Sequence, residues 1–171
     1  MEGEEAIVLI GFMGAGKTSV GRELARRTLW PLYETDALVE ARLDLSISDF
    51  FASHGEGEFR NAETEALREM QPRRAIVATG GGTVLRPENV EMLRGLGRVV
   101  YLEADEATLI QRLSSETESR RPLLQGSDLA GTLSRLLKER EPLYRTTANF
   151  TVDTSALSVA EVAEKILQHV G

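Results

Sequence analysis

Five short apolar runs punctuate the chain, and stretches of helical period fill the intervals between them. "AIVLI" (6–10) is apolar at every position, the pattern of a strand buried on both faces. From Lys17 to Thr28 the period changes: Val20, Leu24 and Ala25 share one face, while Arg22, Glu23, Arg26 and Arg27 point elsewhere, which predicts a helix. "LYE" (32–34) predicts a brief second strand, and "AIVAT" (75–79), "RVVYLE" (98–103) and "FTVDT" (150–154) predict three more. Helical patterns cover 46–54, 57–70, 87–93, 105–113, 129–144 and 159–170; Ser158 with Glu161 forms a capping box for the last. Strands alternating with helices imply a parallel sheet with helices on both faces, and ligands bind such sheets outside the carboxyl ends of the strands. Gly11, Asp36 and Gly80 each follow a predicted strand and should therefore converge. One stretch escapes the rhythm. "SSETESRRPLLQGSD" (114–128) is polar, charged and broken by Pro122 and Gly126, and reads as a mobile loop over the site rather than a domain boundary.

The chain has 171 residues, which favours a single domain. At this length roughly 70% of the unfolded surface can be buried without staples. There is no cysteine, so disulfides and thiolate metal sites are excluded. No apolar run approaches the ~18 residues of a membrane span, and the acidic "MEGEEAIVLIG" lacks the basic start of a secretory signal. A cytoplasmic protein without a membrane partner is expected. The formal charge of −7 disfavours a general nucleic-acid binder, yet local arginines can still outvote it at one anionic site.

"GFMGAGKT" (11–18) satisfies G-x-x-x-x-G-K-[ST] between a predicted strand and a predicted helix. Gly11, Gly14 and Gly16 let the backbone curl until its N–H groups face phosphate oxygens. The helix start adds donors and partial positive charge. Lys17 should reach the β- and γ-phosphates, and the Thr18 hydroxyl should coordinate Mg²⁺. A nucleoside triphosphate site follows. The loop alone does not separate a kinase from an ATPase, a GTPase or an inert binder, although no N-K-x-D guanine-reading motif is present.

Acceptor chemistry must come from elsewhere. In an extended segment Glu34 and Asp36 project to one face, where one could support the metal shell and the other could take a proton from an acceptor hydroxyl. The plainer reading makes Asp36 the N-cap of the following helix. Arg60 lies in "GEGEFRNAE", with Glu56 or Glu63 as a solvated helical partner in the plainer reading. Gly80–Gly82 place three bare backbones after a buried strand, where a ligand could approach closely. Arg121 in "SRRPLL" could close on a transferring phosphate or be an ordinary exposed charge. Arg140 precedes Pro142 at a predicted helix end, and with Arg60 could grip a carboxylate.

Together and in this order, "GFMGAGKTSVGRELA", "ETD", "GEGEFRNAE", "ATGGGTV", "RRPLL" and "REPLYR" resemble the shikimate kinase family over essentially the whole chain. The resemblance implies an α/β, P-loop NTPase-type three-layer sandwich, with a mostly parallel five-stranded sheet, helices on both faces and a mobile lid at about 114–128. It implies one domain over 1–171, a monomer, and transfer of the ATP γ-phosphoryl group to the 3-hydroxyl of shikimate in the route to chorismate and the aromatic amino acids. Gly14, Ala15, Gly16, Lys17, Thr18 and Ser19 would line the ATP phosphates, with Thr18 on Mg²⁺. Asp36 would contact the ring hydroxyls as candidate base, and Lys17 and Arg121 would complete the catalytic set. Arg60 and Arg140 would bind the shikimate carboxylate, Gly81 a substrate hydroxyl, and Arg112 would lie against adenine. The family usually carries Asp where this chain has Glu34; a longer arm could hold the metal through water, against the strict octahedral preference of Mg²⁺.

Two other readings compete. A gluconate kinase would keep the phosphate loop with less use for an Arg60–Arg140 clamp, and a nucleotide-dependent regulator would need no acceptor side at all. Trp30, Pro31 and Tyr144 are expected to pack, as are Phe50, Phe51 and Phe59 unless they line the acceptor pocket. His54 and His169 have no partner at metal-ligand spacing.

Overall fold

The computed structural model describes residues 5–115 and 128–171. Among them, five strands form one sheet: β1 (Ala6–Ile10), β2 (Leu32–Glu34), β3 (Ile76–Ala78), β4 (Gly97–Glu103) and β5 (Phe150–Asp153). Their order is β2-β3-β1-β4-β5, and every pairing is parallel. The described residues also form seven α-helices, six between strands and the last after β5: α1 (Lys17–Thr28), α2 (Thr35–Leu43), α3 (Ile47–Glu69), α4 (Pro87–Leu96), α5 (Glu106–Ser114), α6 (Leu129–Thr147) and α7 (Val159–Val170).

The central strand explains the order. Each residue of β1 is at most 2% exposed, so both faces must be covered, and each such Val, Leu or Ile contributes about 1.5–3 kcal/mol by burial. α7 presents Val162, Ala163 and Ile166 to the core below its Ser158–Glu161 capping box, as its sequence predicts, and Arg27 pairs with Glu164 across α1 and α7 at 2.7 Å. A smaller apolar cluster of Val39, Phe50, Phe59 and Ala66 joins α2 to α3.

Connections leave β1 toward one edge, return through β3 beside it, and then pass to β4 on its other side. The crevice at the carboxyl ends of β1 and β3 is therefore the switch point of the sheet. Thr79 secures it, its N–H and Oγ1 both donating to the Leu9 carbonyl at 3.1 and 2.9 Å.

Some predicted boundaries shift. α6 crosses Pro142, as its predicted span of 129–144 requires, and runs on to Thr147; the proline is exposed, where water can reach the orphaned Lys138 carbonyl. α4 likewise runs past the predicted 93 to Leu96. The segments 46–54 and 57–70 form one bent α3, whose bend is Gly55 at φ 81°, ψ 176°. A turn of 3₁₀ helix at Thr83–Leu85, which the pattern does not announce, follows the triple glycine.

Candidate active site

The phosphate loop turns on left-handed glycines, Gly14 at φ 82° and Gly16 at φ 95°. Gly16 is the N-cap of α1 and offers no side chain to the first-turn N–H groups, and that turn contains no acid. Those donors and the positive helix end are thus left for an external anion. Lys17 lies back over the loop, its Nζ donating to the Gly11 carbonyl and, at 3.1 Å, to that of Phe12. The Thr18 hydroxyl donates to Glu34 Oε1 at 2.7 Å, tying α1 to the end of β2. Ala15 is buried in the loop and Ser19 is exposed in the first turn of α1. Arg112, from α5, donates to the Gly14 carbonyl and to Thr154 Oγ1 and its carbonyl, each at 3.2 Å. Gly14–Ser19 and Arg112 are therefore brought together.

Opposite the loop runs Gly80–Gly82. A Cβ at Gly80 would lie 2.8 Å from Asp36 Oδ1, one at Gly81 would lie 3.4 Å from Arg140 Nη1, and one at Gly82 would overlap the Arg60 guanidinium. Three functional groups from three helices thus line up along three successive bare backbones. Close approach explains the triple glycine, though by side chains of this chain. The Gly80 N–H is already used, donating to Thr35 Oγ1 at 3.0 Å, and the Gly81 carbonyl accepts from the Tyr144 hydroxyl. Met13 of the phosphate loop stands against Gly81, its N 3.4 Å from the same Cβ position, so the two sides meet there.

Charge at this turn is buried. Arg60 and Arg140 are 8% and 2% exposed. Arg60 donates to Glu63 Oε2 at 2.9 Å, and the Thr83 hydroxyl donates to Glu63 Oε1 at 2.5 Å. Arg140 makes no ion pair among the described residues; its guanidinium carbon lies 5.9 Å from the Phe12 ring centroid, and its Nε has no partner. The Arg60 Nε is likewise unmatched. Unpaired buried guanidinium donors are costly unless an anion completes them. Burial pushes the Tyr144 phenol up to about 12, opposed by the Arg140 guanidinium beside it.

Several expectations are corrected. Glu34 and Asp36 are not two same-face residues of an extended segment, because α2 begins at Thr35; nor does Asp36 cap it, since the N-cap is Glu34. Asp36 is exposed in the first helical turn and still reaches Gly80. Both expected partners of Arg60 are found: Glu56, half-exposed, accepts at 3.4 Å as expected, but the shorter pair with Glu63 is buried rather than solvated, Glu63 being 0% exposed. Tyr144 packs, stacked on Tyr101 at 5.1 Å, and its hydroxyl also binds the site. Phe50 stacks on His54, and Phe59 packs at a tilt against both Phe50 and Phe51. His169 stacks on Phe150. Arg121, and the lid apart from its ends at 114–115 and 128, lies outside the described residues.

Sequence reasoning missed Thr35, Thr83 and Tyr144. Only Tyr144 carried a usable signal, standing four residues beyond Arg140 on one helix face. Two surface cavities, of about 340 and 370 Å³, lie elsewhere, one beside Tyr33 and Met70 and the other beside Tyr101 and Glu141. No described helix is long and apolar enough to cross a membrane.

Residues 13–171 match the sequence family described as shikimate kinase. A shikimate kinase of Cupriavidus pinatubonensis is 44% identical over 166 residues, covering 96% of this chain and 85% of that relative. The solved shikimate kinase of Acinetobacter baumannii in complex with shikimate superposes with a TM-score of 0.93 at 38% identity, covering 99% of this chain and 94% of the other. That of Bacteroides thetaiotaomicron gives 0.87 at 28%, covering 97% and 98%. A gluconokinase from Sinorhizobium meliloti, at 21% identity and 0.57 over 99% of this chain and 93% of its own, shares the fold alone.

Proposed function

The chain belongs to the shikimate kinase family, and from that membership we infer how its residues divide the work of an ATP-dependent phosphotransferase acting on shikimate. The supporting observation is the alignment of Asp36, Arg140 and Arg60 along Gly80–Gly82, with Met13 of the phosphate loop against Gly81.

Gly14–Ser19 bind the ATP phosphates through backbone N–H groups, with Lys17 leaving its carbonyl partners to meet the β- and γ-phosphates. Arg112 flanks the adenine side from its seat between Gly14 and Thr154. Arg140, lacking a carboxylate of its own, and Arg60, already turned by Glu63, receive the shikimate carboxylate. The acid is thereby oriented with its 3-hydroxyl toward Asp36, which accepts the proton as the oxygen attacks the γ-phosphorus. The Gly81 N–H makes no hydrogen bond among the described residues and serves a substrate hydroxyl.

Mg²⁺ fits the donors present. Thr18 Oγ1 and Glu34 Oε1, 2.7 Å apart, are hard oxygens at the phosphate end of the loop. Thr18 would hold the ion directly and Glu34 through water; bound there, it would neutralise charge on the transferring phosphate. A phosphoryl transfer asks mainly for such positioning and charge stabilisation.

Coupled ADP release measured with and without shikimate tests the reading. ADP release should depend on shikimate; phosphorylation of gluconate in its place would overturn it.

A further inference from the structure

We propose that Thr35 and Tyr144 form a pair of positioning residues that hold the Gly80–Gly81 segment from opposite sides, Thr35 setting Asp36 and Tyr144 setting Arg140. The proposal rests on the reaction assigned above. Both side chains are completely buried. Thr35 Oγ1 accepts from the Gly80 N–H at 3.0 Å, and the Tyr144 hydroxyl donates to the Gly81 carbonyl. Each anchor is covalently close to the group it would serve. Thr35 immediately precedes Asp36, and Tyr144 follows Arg140 by one turn of α6.

Anchor and functional group also approach the same glycine in each case. Asp36 Oδ1 comes within 2.8 Å of the Cβ position of Gly80, the residue bound by Thr35. Arg140 Nη1 comes within 3.4 Å of that of Gly81, the residue bound by Tyr144. A turn of glycines has no side chains to fix its own place and wide backbone freedom. Fixed by two hydroxyls, it becomes a ruler: its length sets the spacing between proton acceptor and carboxylate clamp. The Gly80 carbonyl accepting from Thr83 N at 3.2 Å tightens the same turn from within.

The plainer alternative makes Thr35 a buried residue at a helix start and Tyr144 a core aromatic stacked on Tyr101. Packing alone predicts a change in stability. Positioning predicts a division of kinetic effects, because an ångström of misplacement at a reacting group can cost up to about 100-fold. Steady-state kinetics with shikimate and ATP varied separately, alongside thermal melting, should be compared for wild type, Thr35→Val, Thr35→Ser and Tyr144→Phe.

Thr35→Val keeps the shape and removes the acceptor; kcat should fall about tenfold with both KM values within about twofold. Thr35→Ser should restore kcat to within about threefold of wild type. Tyr144→Phe should raise the shikimate KM about tenfold and leave the ATP KM unchanged. Should Thr35→Val melt below the assay temperature, Thr35→Ala carries the same expectation, and failure of Thr35→Ser to rescue overturns the role of Thr35. Folded variants with wild-type constants, or with both KM values raised equally, overturn the proposal while the family reaction stands. A wild-type chain that releases no ADP with shikimate removes the reaction itself, and the proposal with it.

Discussion

The phosphate loop occupies eight consecutive residues, Gly11–Thr18, and its expected ligands are mostly backbone N–H groups; the proposed acceptor side gathers Asp36 from α2, Arg60 from α3, Gly80–Gly82 beyond β3 and Arg140 from α6. The first offers dipoles of a helix end and one lysine resting on its own carbonyls. The second buries two guanidinium groups, of which only Arg60 has a carboxylate partner among the described residues. A loop of this kind serves any nucleoside triphosphate, since all present the same phosphates. Discrimination of the acceptor falls to the region where desolvated charge makes a wrong partner expensive.

The contrast can be broken at its strongest point by Asp36→Asn. It should lower kcat by about 10²–10⁴-fold while ATP binding, followed by calorimetry, survives. Unchanged turnover would take Asp36 out of the proton transfer. Arg140→Ala should come next, raising the shikimate KM by about 100-fold with the ATP KM within about twofold, because it removes a charged hydrogen-bond donor from the clamp alone. Equal rises would mean that the two sides are not separable.

Gly82→Ala is a subtler probe. The backbone there, φ −102° and ψ 6°, suits alanine, so any effect comes through the displaced Arg60 guanidinium. An increase of about tenfold in the shikimate KM is expected, and no increase would mean that Arg60 can shift without loss. Least of all should Leu29→Gly disturb the chemistry. Leu29 is 89% exposed in a left-handed conformation (φ 61°) at the far end of α1. Glycine there should raise stability by about 0.5 kcal/mol, and Tm by a few degrees at most, with both KM values constant. A lower melting temperature would show that the leucine side chain contributes more than its backbone costs.

Legibility followed the same divide. "AIVLI", the helix over Lys17–Thr28 and the helix over Val159–Val170 are found with the bounds their patterns predict, since period and capping are local properties. The last residues of α6, beyond the predicted 144, were not legible because Arg94 of α4 donates to the Thr146 and Thr147 carbonyls at that helix end, a contact made across the fold. Glu63 offered two readings on spacing alone. Its burial between Arg60 and Thr83 came from the packing of α3 against the turn after β3, contacts made 20 residues apart in the chain.

By itself, the order of residues determined the alternation of strand and helix, the phosphate loop and the set of arginines and acids that identify the family. Those depend on neighbours within a few positions, or on residue identity alone. What only the tertiary structure decided is which side chains share a glycine: that Asp36 meets Gly80, Arg140 meets Gly81 and Arg60 meets Gly82, with Thr35 and Tyr144 holding the turn between them. Such neighbours arise from strand order and helix packing, which sum weak contacts over the whole core, and no short window of sequence contains that sum.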